Sequence, residues 1–161
     1  DSKNASIIRT SWLMGPTGNN FIKTMLDMHQ NDEIIKVVSD QKGCPTSTFS
    51  LSNVCWKIIE KYNNKTLNPE LPLILHWCDK GPTSWNKIAE LIGDYALNIS
   101  LIKSKAKVVP ISSSEYRSKA KRPKNSQLDC SDTKKILNIE QLEWEATIKE
   151  VLNFIHKENN P

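Results

Sequence analysis

The stretch from Ile7 to Phe21 most constrains how this chain can fold. It begins with a short apolar run typical of a β-strand and continues into a loop with two glycines and a proline. Asn19 or Asn20 can then cap a helix. The stretch therefore predicts a strand, a loop and a helix. In an open α/β sheet the carboxyl end of such a strand faces the ligand crevice, which is where we expect Ser11 and Trp12.

Trp12 has two interpretations at this position. Its indole ring can offer a flat apolar face to a sugar or a base, with Ser or Thr hydroxyls nearby as hydrogen-bonding groups. It can equally fill the core between the strand and the helix, since large aromatic side chains are mostly buried. The residues alone leave both interpretations open.

Patterns of the helix and strand types alternate along the rest of the chain. Apolar spacing predicts helices over Asn20–Gln30, Trp85–Asn98, Ser131–Leu137, with Ser131 as the cap, and Trp144–Ile155. Another helix follows a cap at Thr46, Ser47 or Thr48, with a predicted buried face of Leu51, Val54, Cys55, Ile58, Ile59 and Tyr62. Short apolar runs predict strands at Ile34–Val38, Leu73–Trp77 and Lys107–Ile111. This alternation favours an α/β fold with parallel strands covered by helices.

Length and composition exclude several classes of protein. The 161 residues suit one domain, and the 38% apolar content includes no run near twenty residues, so we expect no membrane span. The net charge of +4 is modest. Basic residues gather in one short loop without interleaved aromatic residues, so we expect no nucleic-acid partner.

The four cysteines, Cys44, Cys55, Cys78 and Cys130, are far apart in the sequence and form no C-x-x-C pair. This spacing is wrong for a zinc clip and fits reduced thiols in a cytoplasmic protein better than a disulfide framework. The histidines have no ligand partners at metal-binding spacing, so we expect no metal site. The chain starts without Met or a secretion leader, and we expect that an upstream segment was removed.

Several short motifs recur in the order and spacing of a known family. They are Arg9-Thr10-Ser11-Trp12-Leu13, Gly15, Gly18-Asn19-Asn20-Phe21, Lys23-Thr24-Met25-Leu26, Asp40-Gln41, Gly43, Pro45-Thr46, Thr83-Ser84-Trp85, Arg122-Pro123, Asn125-Ser126 and Leu128-Asp129-Cys130. Together they span nearly the whole chain. The sequence resembles the second half of the dTDP-4-dehydrorhamnose reductase family, beginning just after that family's catalytic stretch.

The resemblance implies a fold, a reaction and cofactors. The family consists of Rossmann-like extended short-chain dehydrogenases/reductases, and residues 1–161 would form the C-terminal, substrate-binding portion without the N-terminal dinucleotide-binding motif. The whole enzyme uses NADPH or NADH to reduce dTDP-4-dehydro-L-rhamnose to dTDP-L-rhamnose. We expect no cofactor to bind this portion alone. The dTDP-sugar and the missing N-terminal domain are the implied partners.

The family's catalytic Tyr-x-x-x-Lys pair is absent from this chain. Tyr62, Tyr95 and Tyr116 are followed four residues later by Thr, Ile and Ala. Reduction of a ketone needs a proton donor at the developing alkoxide, and a nearby lysine lowers the pKa of the tyrosine that supplies it. We therefore assign no catalytic residue here and expect the chain alone to be inactive.

The resemblance also implies roles for residues near the first strand. Trp12 matches a substrate-contacting tryptophan that would lie beside the deoxysugar and exclude water. Ser11 would approach the nicotinamide. Asn19 and Asn20 could hydrogen-bond the sugar or cap their helix.

Two further sites follow from the same resemblance. Gln41, with Asp40 and Thr46, would border the nucleotide-sugar site, or else belong to a turn fixed by glycine and proline. Arg122 would bind the diphosphate, because a guanidinium group contacts two phosphate oxygens at once. The lysines around it, Lys119, Lys121 and Lys124, would draw the dianionic substrate in.

Other functions stay open from the sequence. An epimerase or dehydratase of the same extended group would share this fold and differ upstream of residue 1. A non-catalytic nucleotide-sugar-binding module is a further alternative. If strands that belong beside an upstream sheet are unpaired, we expect the isolated chain to self-associate through the exposed sheet edge.

Overall fold

The computed structural model describes residues 5–66, 73–116, 120 and 122–159. Within them the elements follow in the order β1 (Ser6–Thr10), β2 (Leu13–Met14), α1 (Phe21–Asn31), β3 (Ile34–Val38), β4 (Thr46–Ser47), α2 (Thr48–Asn63), β5 (Leu73–Trp77), α3 (Trp85–Asn98), β6 (Lys107–Ile111), α4 (Ser131–Leu137) and α5 (Trp144–Asn159). In this described part, no helix has the length and apolar character needed to cross a bilayer.

The strands pair in three parallel, two-stranded sheets. These are β1 with β5, β2 with β4 and β3 with β6. Parallel pairing between strands distant in sequence, with helices as connections, confirms the predicted α/β class. β2 and β4 were not predicted, because two residues are too few to show a period-two pattern.

Local capping explains where the helices begin. Asn20 is the N-cap of α1, and its side chain accepts hydrogen bonds from the backbone N–H groups of Ile22 and Lys23. Ser47 caps α2 by accepting from Ser50. Both positions were among the predicted caps.

The predicted cap of α4 is wrong. Ser131 is its first helical residue, and the N-cap is Cys130. The Asp129 carboxylate accepts hydrogen bonds from both the backbone N–H, at 2.9 Å, and the hydroxyl of Ser131. Asp129, two residues before the helix, thus accepts the hydrogen bond from the first helical N–H group, the capping role that was predicted for Ser131.

Two hydrophobic cores hold the elements together. The larger joins α1, α3 and α5 with β3, and its fully covered side chains include Ile22, Ile35, Ile88, Ile92, Ile148 and Leu152. The smaller packs α2 and α4 onto β5, through Val54, Ile58, Leu75, Trp77 and Leu137. Burial of this apolar surface is the main favourable contribution to folding.

The predicted buried face of α2 is too broad. Val54 and Ile58 are buried, and Leu51 and Cys55 are half-buried. Ile59 and Tyr62 remain 45% and 49% exposed. These two flank the narrow stripe that reaches β5 and α4, and the described elements provide no surface to cover them.

The β1–β5 pair has one covered and one uncovered face. Ile8 pairs with Leu75 in register, and both pack into the smaller core. The neighbouring register pair, Ile7 and Ile74, points to the other face and is 54% and 51% exposed. Because successive side chains alternate across a strand, a second layer would be needed to cover this face.

Candidate functional site

Loops that follow parallel strands meet at one place, which we call the loop junction: residues 11–13, 39–46, 78–84 and 122–126. Gly43 exchanges both backbone hydrogen bonds with Thr83, at 3.1 and 2.9 Å. On its other side, Lys42 N–H donates to the Lys124 carbonyl at 2.8 Å, and Ser126 N–H donates to the Lys42 carbonyl at 2.9 Å. The 39–46 loop therefore lies between loops 78–84 and 122–126 and fixes their relative position.

Trp12 stands at the junction in a constrained conformation. Its φ of 46° lies in the left-handed region that non-glycine residues seldom adopt. Its ring stacks on that of Trp85, with centroids 3.9 Å apart and planes 20° from parallel. A methyl group added at Gly43 would stand 2.6 Å from two carbons of the Trp12 ring, so a glycine is needed there. Trp12 is half-buried, packed against the larger core but not sealed within it.

Gln41 connects this aromatic pair to the loop after β6. The indole Nε1–H of Trp85 donates to Gln41 Oε1 at 3.2 Å, and Gln41 Nε2 donates to Ser113 Oγ at 3.0 Å. The backbone N–H and the hydroxyl of Ser113 both donate to the Asp40 carboxylate, which lowers the pKa of Asp40. The chain thus brings Gln41 to the site, with both ends of its amide bound to protein groups.

The end of β1 is tied to the 39–46 loop by hydroxyl groups. Ser11 Oγ donates to the Cys44 carbonyl at 2.8 Å. Thr46 Oγ1 donates to the Ser11 carbonyl at 2.7 Å and accepts from Thr10 Oγ1 at 2.9 Å, while Thr46 N–H donates to the Trp12 carbonyl at 3.2 Å. These bonds hold the backbone of Ser11 and Trp12 on both sides.

The two asparagines before α1 differ in their surroundings. Asn20 closes its own loop, because Nδ2 donates to the carbonyls of Gly15 and Thr17 at 2.9 and 3.1 Å while Oδ1 caps the helix. The capping interpretation of Asn20 is confirmed. Asn19 is exposed, next to this closed loop.

Two basic residues of the 122–126 loop are exposed to solvent. Arg122 and Lys124 are exposed, and the backbone of Lys124 belongs to the junction through its bond to Lys42. Lys119 and Lys121 lie outside the described residues. Arg122 and Lys124 therefore give the exposed part of the loop junction positive charge.

Asp79 is a buried carboxylate that the sequence analysis did not single out. It lies two residues after the end of β5, behind Cys78, and is fully buried. Its Oδ2 accepts from Ser47 N–H at 2.9 Å and from Thr147 Oγ1 at 2.6 Å, whereas its Oδ1 has no hydrogen bond of normal geometry to any described residue. Burial raises the pKa of Asp79 and outweighs the opposing contacts with Ser50, Thr147 and Ser47. An acidic residue two positions after an apolar strand was the only sequence signal for it.

The loop before α1 does not fit a dinucleotide pyrophosphate. A methyl group at Gly15 would meet the Thr48 side chain at 2.6 Å, so the space beside this glycine is already filled. The first free N–H groups of α1 are taken by Asn20. At α2 the Asp79 carboxylate accepts from Ser47, which would repel a phosphate there. We therefore derive no chemistry through a nicotinamide cofactor from these residues.

Two surface hollows lie away from the loop junction. One, of about 440 Å³, is lined by Glu90 and Asp94 of α3 and by residues 105–108 at the start of β6 and just before it. The other, of about 620 Å³, lies between Phe49 at the start of α2 and Phe154 on α5. Both are shallow, and neither shares a residue with the junction.

Comparison with known proteins gives consistent matches. Residues 1–156 match the RmlD substrate binding domain family. The dTDP-4-dehydrorhamnose reductase of Aggregatibacter actinomycetemcomitans is 34% identical over 151 residues, covering 93% of this chain and 50% of that protein. The chain thus spans about half the length of the curated relatives it matches.

Solved structures agree with this result. A crystal structure of dTDP-4-dehydrorhamnose reductase from Bacillus anthracis in complex with NADP is 31% identical, with a TM-score of 0.77, and the match covers 94% of this chain and 48% of that one. UDP-glucuronic acid 4-epimerase from Bacillus cereus matches at a TM-score of 0.70 and 14% identity over 96% of this chain and 46% of its own, which shows a shared fold alone. The family match covers nearly every residue, and the chain belongs to the RmlD substrate binding domain family.

Proposed function

We propose that this chain is the substrate-binding portion of a dTDP-4-dehydrorhamnose reductase, and that the whole enzyme reduces dTDP-4-dehydro-L-rhamnose to dTDP-L-rhamnose with NADPH or NADH in the cytoplasm. The observation that carries the proposal is the Trp12 indole, half-buried and stacked on Trp85 where four loops converge. An apolar ring held rigid at such a junction suits the apolar face of a deoxysugar. The family match supports the same assignment.

Each residue of the proposed site has a role that follows from its position. Trp12 lies beside the deoxysugar and excludes water, and Asn19, exposed next to the α1 cap, hydrogen-bonds its hydroxyls. Gln41 contributes by holding Trp85 and the Ser113 loop, since its amide is bound at both ends. Asn20 shapes the same loop through its cap.

The nucleotide end of the substrate binds at the exposed basic residues of the loop junction. Arg122 is exposed there and binds the diphosphate through paired N–H donors. Ser11, at the end of β1 with its hydroxyl bound to the Cys44 carbonyl, is the residue that would lie nearest the nicotinamide in the whole enzyme. The chain supplies substrate contacts, whereas the electron donor and the Tyr-x-x-x-Lys pair come from an N-terminal domain.

The uncovered face of the β1–β5 pair supports the proposal that the catalytic pair and the electron donor belong to a separate N-terminal domain. Ile7 and Ile74 are exposed side by side, as expected for a sheet that a further layer covers. The chain has no Tyr-x-x-x-Lys pair, so it should not turn over the keto sugar by itself.

The experiment is a calorimetric binding series with dTDP, dTDP-rhamnose and UDP, on this chain and on a longer protein that contains it. We expect Trp12→Ala to weaken dTDP-rhamnose binding while leaving dTDP binding nearly unchanged, and Arg122→Ala to weaken both. Trp56→Ala, which removes a 65% exposed tryptophan of α2, is the matched control.

Two outcomes would contradict the proposal. One is equal affinity for dTDP-rhamnose in the Trp12→Ala variant and the unchanged protein, with both folded by circular dichroism. The other is steady turnover of the keto sugar and NADPH by this chain alone, which would place the catalytic acid within it. A preference for UDP over dTDP would favour the epimerase alternative.

A further inference from the structure

Three of the four cysteines, distant in sequence, meet in the smaller core. Cys44 precedes β4, Cys78 follows β5 and Cys130 is the N-cap of α4, and they are 6%, 1% and 4% exposed. The sulfur atoms of Cys78 and Cys130 lie 3.7 Å apart across 52 residues of sequence. The sequence spacing, which suggested unconnected thiols, gave no sign of this cluster.

The members of this cluster differ in chemical character. Side-chain hydrogen bonding with Cys78 lowers the pKa of Cys130 to about 7 and also lowers the pKa of Cys44. The central Cys78 has its pKa raised by those two contacts and by burial. Since the thiolate is the reactive form of cysteine, Cys130 is the thiol of the pair that reacts first and Cys78 the one that reacts second.

We propose that Cys130 and Cys78 form a peroxide-sensitive dithiol, in which Cys130 is oxidised first and Cys78 resolves it into a disulfide. In the first step the Cys130 thiolate attacks hydrogen peroxide, the O–O bond breaks, and sulfenic acid and hydroxide form. In the second step the hydroxide takes the proton of the Cys78 thiol and becomes water. The Cys78 sulfur then attacks the sulfenic sulfur, the S–S bond forms, and the S–O bond breaks to release hydroxide. The two thiols together lose two electrons and two protons, and the peroxide is reduced.

Geometry makes this pair the favoured one. The two sulfur atoms must close from 3.7 Å to about 2.0 Å, and Cys130, as the N-cap of α4, lies outside the regular helix. At 4% exposure Cys130 admits only a small oxidant, which favours hydrogen peroxide over a bulky disulfide such as oxidised glutathione. Within the described part of the chain, no three His, Cys, Asp or Glu side chains form a metal-binding group.

The bridge would act next to the loop junction. It would join the start of α4 to the end of β5, one residue before the buried Asp79. Gln141 donates to the Cys78 carbonyl at 2.6 Å. The Cys44 carbonyl accepts from the Ser11 hydroxyl, so the cysteine cluster is in direct contact with the loop junction. Oxidation would thus restrain the end of the loop that carries Arg122.

The test treats the folded chain with hydrogen peroxide, blocks the remaining thiols and maps crosslinked peptides by mass spectrometry without reducing agent. We expect one peptide pair that joins Cys78 to Cys130, formed about tenfold faster in the folded chain than in urea, because only the folded chain holds the two sulfur atoms 3.7 Å apart. Cys55→Ser is the matched control and should leave the crosslink unchanged. In Cys78→Ala no crosslink should form, and Cys130 should be oxidised more slowly, because the contact with Cys78 that lowers its pKa is gone.

Several results would overturn the proposal. These are crosslinks that join Cys44 to Cys78 or involve Cys55, equal rates in the folded and denatured chain, or zinc that copurifies with the reduced chain in a one-to-one ratio. The comparison of folded with denatured native-sequence chain needs no variant, so it decides the matter even if a cysteine substitution prevents folding.

Discussion

Trp12 and Trp85 form a stacked pair in which one ring belongs to the strained turn after β1 and the other to the first residue of α3, with ring centroids 3.9 Å apart. The pair joins the β1–β5 sheet to the larger core, because Trp85 also packs on Phe21 with centroids 4.7 Å apart. Gly43 lies so near the Trp12 ring that a side chain at this position would contact it. The orientation of the proposed sugar-facing ring therefore depends on residues that need not touch a substrate.

The first prediction concerns Trp85. Trp85→Ala removes the stacking partner of Trp12 and a half-buried side chain, which should lower the free energy of unfolding by roughly 2–4 kcal/mol. It should also weaken dTDP-rhamnose binding by about tenfold, as Trp12 loses its fixed orientation. Trp85→Phe keeps an aromatic ring and loses the hydrogen bond to Gln41, at a cost of about 1 kcal/mol. Urea unfolding and calorimetry measure both effects, and a folded Ala variant with unchanged sugar affinity would refute the positioning role.

The second prediction concerns Gly43. In Gly43→Ala the new methyl group would stand 2.6 Å from the Trp12 ring and from Ser126 Oγ, so the aromatic pair must shift. We expect a loss of about 1–3 kcal/mol in the free energy of unfolding, typical of overpacking, together with a changed near-UV circular dichroism signal from the stacked indoles.

Gly18→Ala is the matched control for Gly43→Ala. Gly18 has a φ of 71° and open space around it, so an alanine there should cost about 1 kcal/mol through backbone strain alone. It should leave the near-UV signal unchanged. The same spectral change in both variants would show that Gly43 does not hold the tryptophan.

Much of the fold was readable from the sequence, because long amphipathic helices and compact apolar strands carry strong local patterns. α1, α3 and α5, and the strands β3, β5 and β6, lie where periodicity predicted them. The failures have local causes. Ile59 and Tyr62 are exposed because no described element packs on that side of α2. The spacing of apolar residues within α2 cannot predict which elements pack on it.

The site was less predictable than the fold. Trp12 was singled out by its place after a strand, but its partner Trp85 was predicted only as one residue of a helix face. The links from Trp85 through Gln41 to Ser113, and the clustering of Cys44, Cys78 and Cys130, join residues far apart in sequence. Side chains that meet only through tertiary packing leave no periodic signal in one sequence.

The third prediction concerns the pH dependence that Asp79 produces. Burial raises its pKa above the ordinary 3.8, so the folded chain binds this proton more tightly than the unfolded chain. The contribution of Asp79 to the free energy of unfolding is therefore greatest below pH 3.8 and falls as the pH rises from 3.8 to the raised folded-state pKa. Above that pKa it stays at its lower level.

Substitutions of Asp79 test this assignment. Asp79→Asn removes the titration, so the difference in stability between native and variant chain should shift in favour of the variant as pH rises through this window. Asp79→Ala also removes the titration and leaves the donors of Ser47 and Thr147 without an acceptor. It should cost about 2–4 kcal/mol at pH 3.8 and less as the pH rises through this window. Urea unfolding at closely spaced pH values measures both. A native-minus-Asn difference that is flat with pH would exclude a raised pKa for Asp79.

The fourth prediction concerns the uncovered face of the β1–β5 pair. Ile7 and Ile74 are paired in register, and each exposes about half of its side chain, so two copies of the chain can bury this face against each other. We expect concentration-dependent self-association in light scattering and sedimentation velocity. The double variant Ile7→Ser with Ile74→Ser should weaken it, by roughly 1 kcal/mol for each isoleucine that is no longer buried. Leu142→Ser removes a 58% exposed leucine outside the sheet and should change nothing. A chain that stays monomeric at high concentration, or a double variant that associates as strongly as the native sequence, would show that this face does not drive association.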